Sequence, residues 1–205
     1  MAATTREIKR RIKTVSNTKK ITKAMEMVSA AKMRKAVARL TATRPYAETA
    51  WASILQLVDS NKTLEHALLD TSGSSKDEQR VAVIVISSNR GLCGGFNTGL
   101  AKKAVELGAS LKKQGITVQY VTVGRKVRDQ IRTVYPDDIF ASHDDLISKQ
   151  PEYHEAEAFA STLVDAFEKG ECEEVVVMYN TFVSMMSQVP TPMQLLPFKA
   201  EEVEG

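Results

Sequence analysis

Phosphate chemistry is the first possibility to test in this chain. Residues 88–99, Ser-Asn-Arg-Gly-Leu-Cys-Gly-Gly-Phe-Asn-Thr-Gly, place four glycines directly after an apolar run. A glycine-rich turn between a strand and a helix is where a doubly wound α/β fold holds phosphate. The dinucleotide pattern needs glycines at its first, third and sixth places, and no register of Gly91, Gly94, Gly95 and Gly99 supplies them. The P-loop interval is present between Gly94 and Gly99, but Leu100 and Ala101 stand where the Lys and the Ser or Thr belong. Without that Lys the terminal phosphates meet no point charge, and without the hydroxyl magnesium loses a ligand. Gly124-Arg125-Lys126 follows the second expected strand, where a ribose-binding acid would stand. The spacing points to a structural turn at Gly91, Gly94 and Gly95, needing positive φ or close backbone packing, and to no bound cofactor.

Other reactive side chains are scattered. His66, His143 and His154 have no partner at metal-ligand spacing, and Ser87-Ser88 lacks a nucleophile elbow. The pairs Asp137-Asp138 and Asp144-Asp145 lie in turn-like sequence, where solvated carboxylates are the default. Cys93 and Cys172 form neither a metal nor a redox spacing, which suits a reducing compartment. No catalytic residue and no metal site is expected.

The elements that carry these residues read as an α/β body. Residues 81–87 form a continuous β-branched run, as expected of a strand buried on both faces. A helix over 98–114 ends at Gly115, a strand follows over 116–123, and a helix over 125–134 closes before Pro136. A short strand at 138–141, a helix over 152–168 stopped by Gly170, and a strand at 174–179 complete the alternation. Such a chain builds a Rossmann-like, mostly parallel sheet flanked by helices. Residues 182–198 alternate loosely around Pro190 and Pro192, which predicts an edge strand or hairpin.

The first 44 residues contain neither Gly nor Pro and carry thirteen basic side chains against two acidic ones. They predict one unbroken helix of about 65 Å at roughly 1.5 Å per residue. Pro45 kinks or first breaks it, and a helical pattern resumes over 47–59. Ile8, Ile12, Val15, Ile21, Met25 and Val28 recur at threes and fours as a narrow seam. Burying six such side chains is worth on the order of 10 kcal/mol, so the seam calls for a partner. Charge divides the same way: residues 1–44 carry a surplus of eleven positive charges and residues 45–205 a surplus of eight negative ones. A basic arm on an acidic body fits nucleic acid, anionic lipid or an acidic protein surface. The arm has neither interleaved aromatics nor a leucine repeat, which disfavours nucleic acid. No signal peptide is expected, and no run approaches 18 apolar residues, so no direct membrane insertion is expected. The polar stretch 70–79 divides a shaft helix at 1–69 from an α/β domain at 80–205.

Three segments together resemble the gamma subunit of F-type ATP synthases. They are Lys20-Ile-Thr-Lys-Ala-Met-Glu-Met-Val-Ser-Ala-Ala-Lys-Met-Arg-Lys-Ala36, Ser88-Asn-Arg-Gly-Leu-Cys-Gly-Gly-Phe-Asn97, and Pro190 with Gln194-Leu-Leu-Pro197. The resemblance covers essentially the whole chain. It implies that the basic helix is half of a central shaft turning inside a hexamer of alpha and beta subunits. The α/β body would lie below the hexamer, beside the epsilon subunit and above the membrane c-ring, and would catalyse nothing. It implies hexamer contacts at Arg6, Lys9, Arg10, Lys20, Lys23, Met25, Glu26 and Arg34, with Lys23, Met25 and Glu26 near acidic loops of the beta subunits. The family continues into a C-terminal helix that winds against the first, so the seam at Ile8, Ile12, Val15, Ile21 and Val28 is expected to lack a partner within residues 1–205. The dithiol insertion of chloroplast forms is absent and no transit-like leader precedes the helix. A bacterial subunit on the cytoplasmic face of the inner membrane is therefore expected. An α/β nucleotide-binding protein with a coiled-coil arm is the alternative.

Overall fold

The computed structural model describes residues 4–60, 66–69, 79–147 and 152–198. The chain divides into two compact units, Met1–Ile54 and Leu55–Gly205.

Helix α1 spans Thr5–Ser60, 56 residues and about 84 Å at 1.5 Å per residue. It starts where Thr4 N donates to Glu7 Oε2 at 2.9 Å, half of a capping box. Pro45 does not end it. Proline removes one i→i−4 donor, yet the helix continues to Ser60, and the Thr49 hydroxyl donates to the Pro45 carbonyl at 2.8 Å. Thr14, Thr18 and Thr22 likewise return their hydroxyls to the carbonyl four residues back, at 3.1, 3.0 and 2.9 Å. The only described part of the 70–79 linker is Gln79.

In the second unit, β1 (Arg80–Ile86), α2 (Phe96–Lys113), β2 (Thr117–Val123), α3 (Arg125–Val134) and β3 (Ile139–Ser142) follow in order. A 3-10 turn at Asp145–Ile147, α4 (Tyr153–Glu168), β4 (Glu174–Ser184) and β5 (Ser187–Leu196) complete the described elements. The five strands lie in the order β3-β2-β1-β4-β5. The β1–β2, β1–β4 and β2–β3 pairs are parallel, and β4–β5 is an antiparallel hairpin. The fold is thus the expected α/β sheet, and residues 182–198 enter it as the return strand of a hairpin. The sequence ended β4 too early: Asn180 and Thr181 are polar, but both stay paired with β5, opposite Pro190 and Val189.

Strand β1 feeds both faces. Val81, Val83 and Val85 pack with Leu100, Ala101 and Ala104 of α2, Val127 and Ile131 of α3, and Tyr120 and Met178 of the neighbouring strands. Ala82 and Ile84 pack on the opposite face with Val121, Val175, Val177 and Phe167, flanked by Phe159 and Leu163 of α4. Side chains alternate along a strand, so the continuous apolar run at 81–85 is what two helical layers require.

Tyr120 is fully buried, and its hydroxyl donates to the Ala104 carbonyl at 3.0 Å. Burial, with Tyr135 and Asp138 adding, raises its pKa well above the ordinary phenol value. Its ring stacks on Tyr135 at 6.0 Å, and Lys112 Nζ sits 4.2 Å over the Tyr135 ring while pairing with Asp138. Gly108 makes room for the phenol: a Cβ there would lie 1.9 Å from the Tyr120 hydroxyl. Gly108→Ala gains helix propensity but forces apart a close-packed core, and should cost about 1–3 kcal/mol in urea unfolding. Tyr120→Phe alone loses one buried hydrogen bond, about 1 kcal/mol. The double variant should be markedly more stable than the sum of the two losses allows. Simple additivity would show that the hydroxyl is not what excludes a side chain at 108.

Candidate functional site

Two regions hold the residues singled out by sequence. On α1, Arg6, Lys9, Arg10, Lys20, Lys23, Met25, Glu26 and Arg34 are all exposed. Lys23 and Glu26 come together, with Nζ 3.1 Å from the carboxylate, both side chains about two thirds open to solvent. An exposed pair of this kind contributes little and leaves both groups free to exchange partners. The apolar positions are also open, with Ile8 48 %, Ile12 63 %, Val15 67 %, Ile21 62 %, Met25 51 % and Val28 56 % exposed. On a helix of 3.6 residues per turn these six do not share one line. Ile8, Ile12 and Val15 form one cluster, and Ile21, Met25 and Val28 repeat the same spacing thirteen residues later. That offset turns the second cluster by roughly 140° about the axis. Basic residues fall on every side between them. Such a helix is furnished for partners around it.

The second region is the rim formed by the carboxyl ends of the strands. Here the first three backbone donors of α3 are already taken. At the start of α3, Arg125 N donates to Asn89 Oδ1 at 2.9 Å, Lys126 N to the Ser88 carbonyl at 3.2 Å, and Val127 N to Ser87 Oγ at 3.1 Å. Asn97, buried at the start of α2, accepts from Ser88 N at 3.1 Å and Ser88 Oγ at 3.0 Å. Its amide donates to the Arg90 carbonyl at 3.2 Å and to Cys93 Sγ at 3.1 Å. The turn is latched to itself.

Of the three glycines expected to matter, only Gly94 takes a positive φ, +58°. Gly95 is the residue before α2 with φ −80°, and a Cβ on Gly91 would meet only Lys126 Cε at 3.9 Å. The demanding position is Gly124, which the sequence reading noted only as part of a basic triplet. Its φ is +107°, and a Cβ there would lie 2.8 Å from both Ile147 Cδ1 and Ser87 Oγ. Leu92 adopts φ +64°, unusual for a branched side chain, and is 97 % exposed.

The remaining titratable groups stay dispersed. Asp138 pairs with Lys112, and Asp144 pairs with Arg128. His154 lies 3.5 Å from Glu152, the His143 ring meets Phe159 edge-on at 5.0 Å, and His66 accepts from Leu68 N at 3.2 Å. Among the described residues no group of His, Cys, Asp or Glu could hold a metal ion. Nor is any described helix long and apolar enough to cross a membrane.

Cys93 is exposed and Cys172 buried, both as free thiols. Burial, with Glu173 and Glu171 adding, pushes the Cys172 thiol up to about 11. At pH 8 a thiol reagent should label Cys93 quickly and Cys172 only after unfolding. Above about pH 8.5 the unfolded chain loses the Cys172 proton while the folded chain keeps it. Stability should therefore fall as pH rises from about 8.5 towards 11, and Cys172→Ala should remove that part of the slope. Equal labelling of the two thiols in the folded chain would contradict the burial.

Comparison with known proteins follows the whole chain. The family model described as ATP synthase matches residues 4–205. The ATP synthase gamma chain of Pelagibacter ubique is 39% identical over 202 residues, covering 98% of this chain and 69% of that one. That of Paracoccus denitrificans is 40% identical over 201 residues, covering 98% and 69%. A chain in the central stalk and c-ring structure of Tetrahymena thermophila mitochondrial ATP synthase superposes with a TM-score of 0.63. At 24% identity over 86% of this chain and 72% of that one, this likeness concerns the fold. A match along residues 4–205, with near-40% identity to full gamma chains, places the family beyond composition or fold: the chain belongs to the ATP synthase gamma-chain family.

Proposed function

We propose that the chain is the central rotor shaft of an F-type ATP synthase, coupling rotation of a membrane c-ring to ATP synthesis or hydrolysis in the alpha–beta hexamer. It is a non-catalytic stalk subunit and binds no cofactor of its own. The observation that carries this reading is α1: a helix of 56 residues, basic on all sides, with two apolar clusters facing different directions and every such side chain open. A helix packed on one neighbour concentrates its apolar residues on one stripe. One that turns among several neighbours needs contact all round, with flexible cations where a close jigsaw fit would lock it. The hexamer, the epsilon subunit and the c-ring are the partners of this reading, and the cytoplasmic face of a bacterial inner membrane is its site.

Acidic loops of the hexamer are the counterpart of the basic surplus. Lys23→Glu and Arg34→Glu should each weaken coupled proton pumping in the assembled enzyme. An exposed ion pair is worth about 0.2–1 kcal/mol, so a reversal should change subunit affinity by about two- to tenfold and alter its salt dependence. Met25→Lys should uncouple as well, because it puts a charge into an apolar cluster. Wild-type coupling in all three variants, over a range of ionic strength, would remove these residues from the contact surface.

The latched turn yields a separate expectation. With Leu100 and Ala101 in place of Lys and hydroxyl, and Asn97 and Asn89 holding the backbone, magnesium-ATP should give no saturable heat with the chain. A micromolar site lost on Gly94→Val would favour the nucleotide-binding alternative.

A further inference from the structure

The turn between β1 and α2 holds Leu92 in a conformation that its own side chain opposes. Its φ of +64° is left-handed, and among the described residues no other non-glycine residue has a positive φ. In that region the Cβ crowds the following carbonyl, and Gly or Asn enters it more easily than Leu. Burial does not offset the strain, because Leu92 is 97 % exposed. Replacing it with Asn would ease the turn and remove nothing that the folded chain packs against.

Asn97 keeps the turn in this shape. It is buried, accepts from Ser88 N and Ser88 Oγ, and donates to the Arg90 carbonyl and Cys93 Sγ. Residues on both sides of Leu92 are thus tied to one buried side chain. Cations stand beside the same turn. Arg90 and Arg125 line one hollow with Ser88 and Asn89, and Lys126 Cε lies 3.9 Å from where a Cβ on Gly91 would be. Among the described residues none of Arg90, Arg125 and Lys126 has an ion-pair partner, whereas Arg80, Lys112 and Arg128 each hold a carboxylate.

We infer that Leu92 is a contact residue of the rotor and Asn97 its positioning residue: the buried amide holds the leucine outward, under strain, for an acidic segment of the alpha–beta hexamer. Backbone strain of this kind persists only where the surroundings enforce it, and it gathers at functional positions. Here the enforcement comes from the Asn97 bonds to Ser88, Arg90 and Cys93. Charge selects the partner. Unpaired cations beside one apolar side chain fit carboxylates around an apolar recess and repel a basic face. The hexamer is the occupant because its acidic loops are already the counterpart of the chain's basic surplus in the rotor reading, and these cations extend the same charge. A turn fixed in advance loses little freedom on docking. This inference rests on the rotor reading, since its partner belongs to the same complex.

The test compares L92N and L92M in the isolated chain and in the assembled ATP synthase complex. Asn suits a left-handed turn, so L92N should unfold at a urea concentration equal to or above that of the parent chain. Its coupled proton pumping should nonetheless fall at least about fivefold. L92M keeps an apolar side chain of similar volume and should pump within about twofold of the parent. N97D keeps the acceptor for Ser88 but loses the donor to Arg90 and Cys93. Amide exchange over 90–95 should then quicken at least about threefold, with β1 and β2 unchanged, and pumping should fall with it. A photoreactive diazirine amino acid at position 92 should join the turn to a carboxylate-flanked segment of the hexamer. Parental pumping in L92N, a loss shared by L92M, or a urea midpoint that falls together with pumping would overturn the inference. So would parental pumping in N97D despite quickened exchange, or adducts only to another subunit, a second copy, lipid or solvent. Failure of the parent chain to enter the complex would overturn the rotor reading, and this inference with it.

Discussion

The body depends on β1 being buried on both faces at once. Its backbone is paired with β2 on one side and β4 on the other, so every strand is placed with respect to Arg80–Ile86. The valines at 81, 83 and 85 hold α2 and α3, while Ala82 and Ile84 meet the layer that includes α4. A polar side chain at any of these positions would be buried without a partner. At the start of the strand, Arg80 N and its guanidinium are both held by Glu173, which aligns β1 with β4.

At the opposite end, the same strand delivers Ser87, Ser88 and Asn89 to the rim where related folds bind nucleotides. These residues are used as structural clamps. They satisfy the first three donors of α3, and Asn97 closes the preceding turn. The Gly124 cradle lets Ser87 approach closely enough to do so. A sheet topology that commonly serves ligand binding here has the first amides of α3 turned into internal bonds. Fold alone does not specify chemistry.

The first unit works by the opposite logic. Its apolar residues Ile8, Ile12, Val15, Ile21, Met25 and Val28 stay exposed, and hydrogen bonds local to the helix run from the Glu7 cap to the threonine hydroxyls. Good helix formers maintain the rod without tertiary help over part of its length. Its lasting order and its use both depend on neighbours, and the surplus of positive charge sets what kind of neighbour is admitted.

Sequence by itself determined the α/β class, the strand and helix alternation, the basic rod with its apolar clusters, and the lack of a phosphate-binding Lys. These are one-dimensional properties: periodicity, β-branching, turn residues and charge can be counted along the chain. Asn97 and Gly124 could not be weighed that way, because their importance comes from contacts with Ser88, Ser87 and Ile147, brought near only when the strands align. The same holds for Gly108, whose small size matters because Tyr120 arrives from another strand. The continuation of β4 through Thr181 also escaped, since local propensity was overridden by pairing with β5. Tertiary structure decided which polar residues became clamps and which apolar ones stayed exposed, because burial and hydrogen-bond satisfaction are properties of the whole arrangement and not of any one residue.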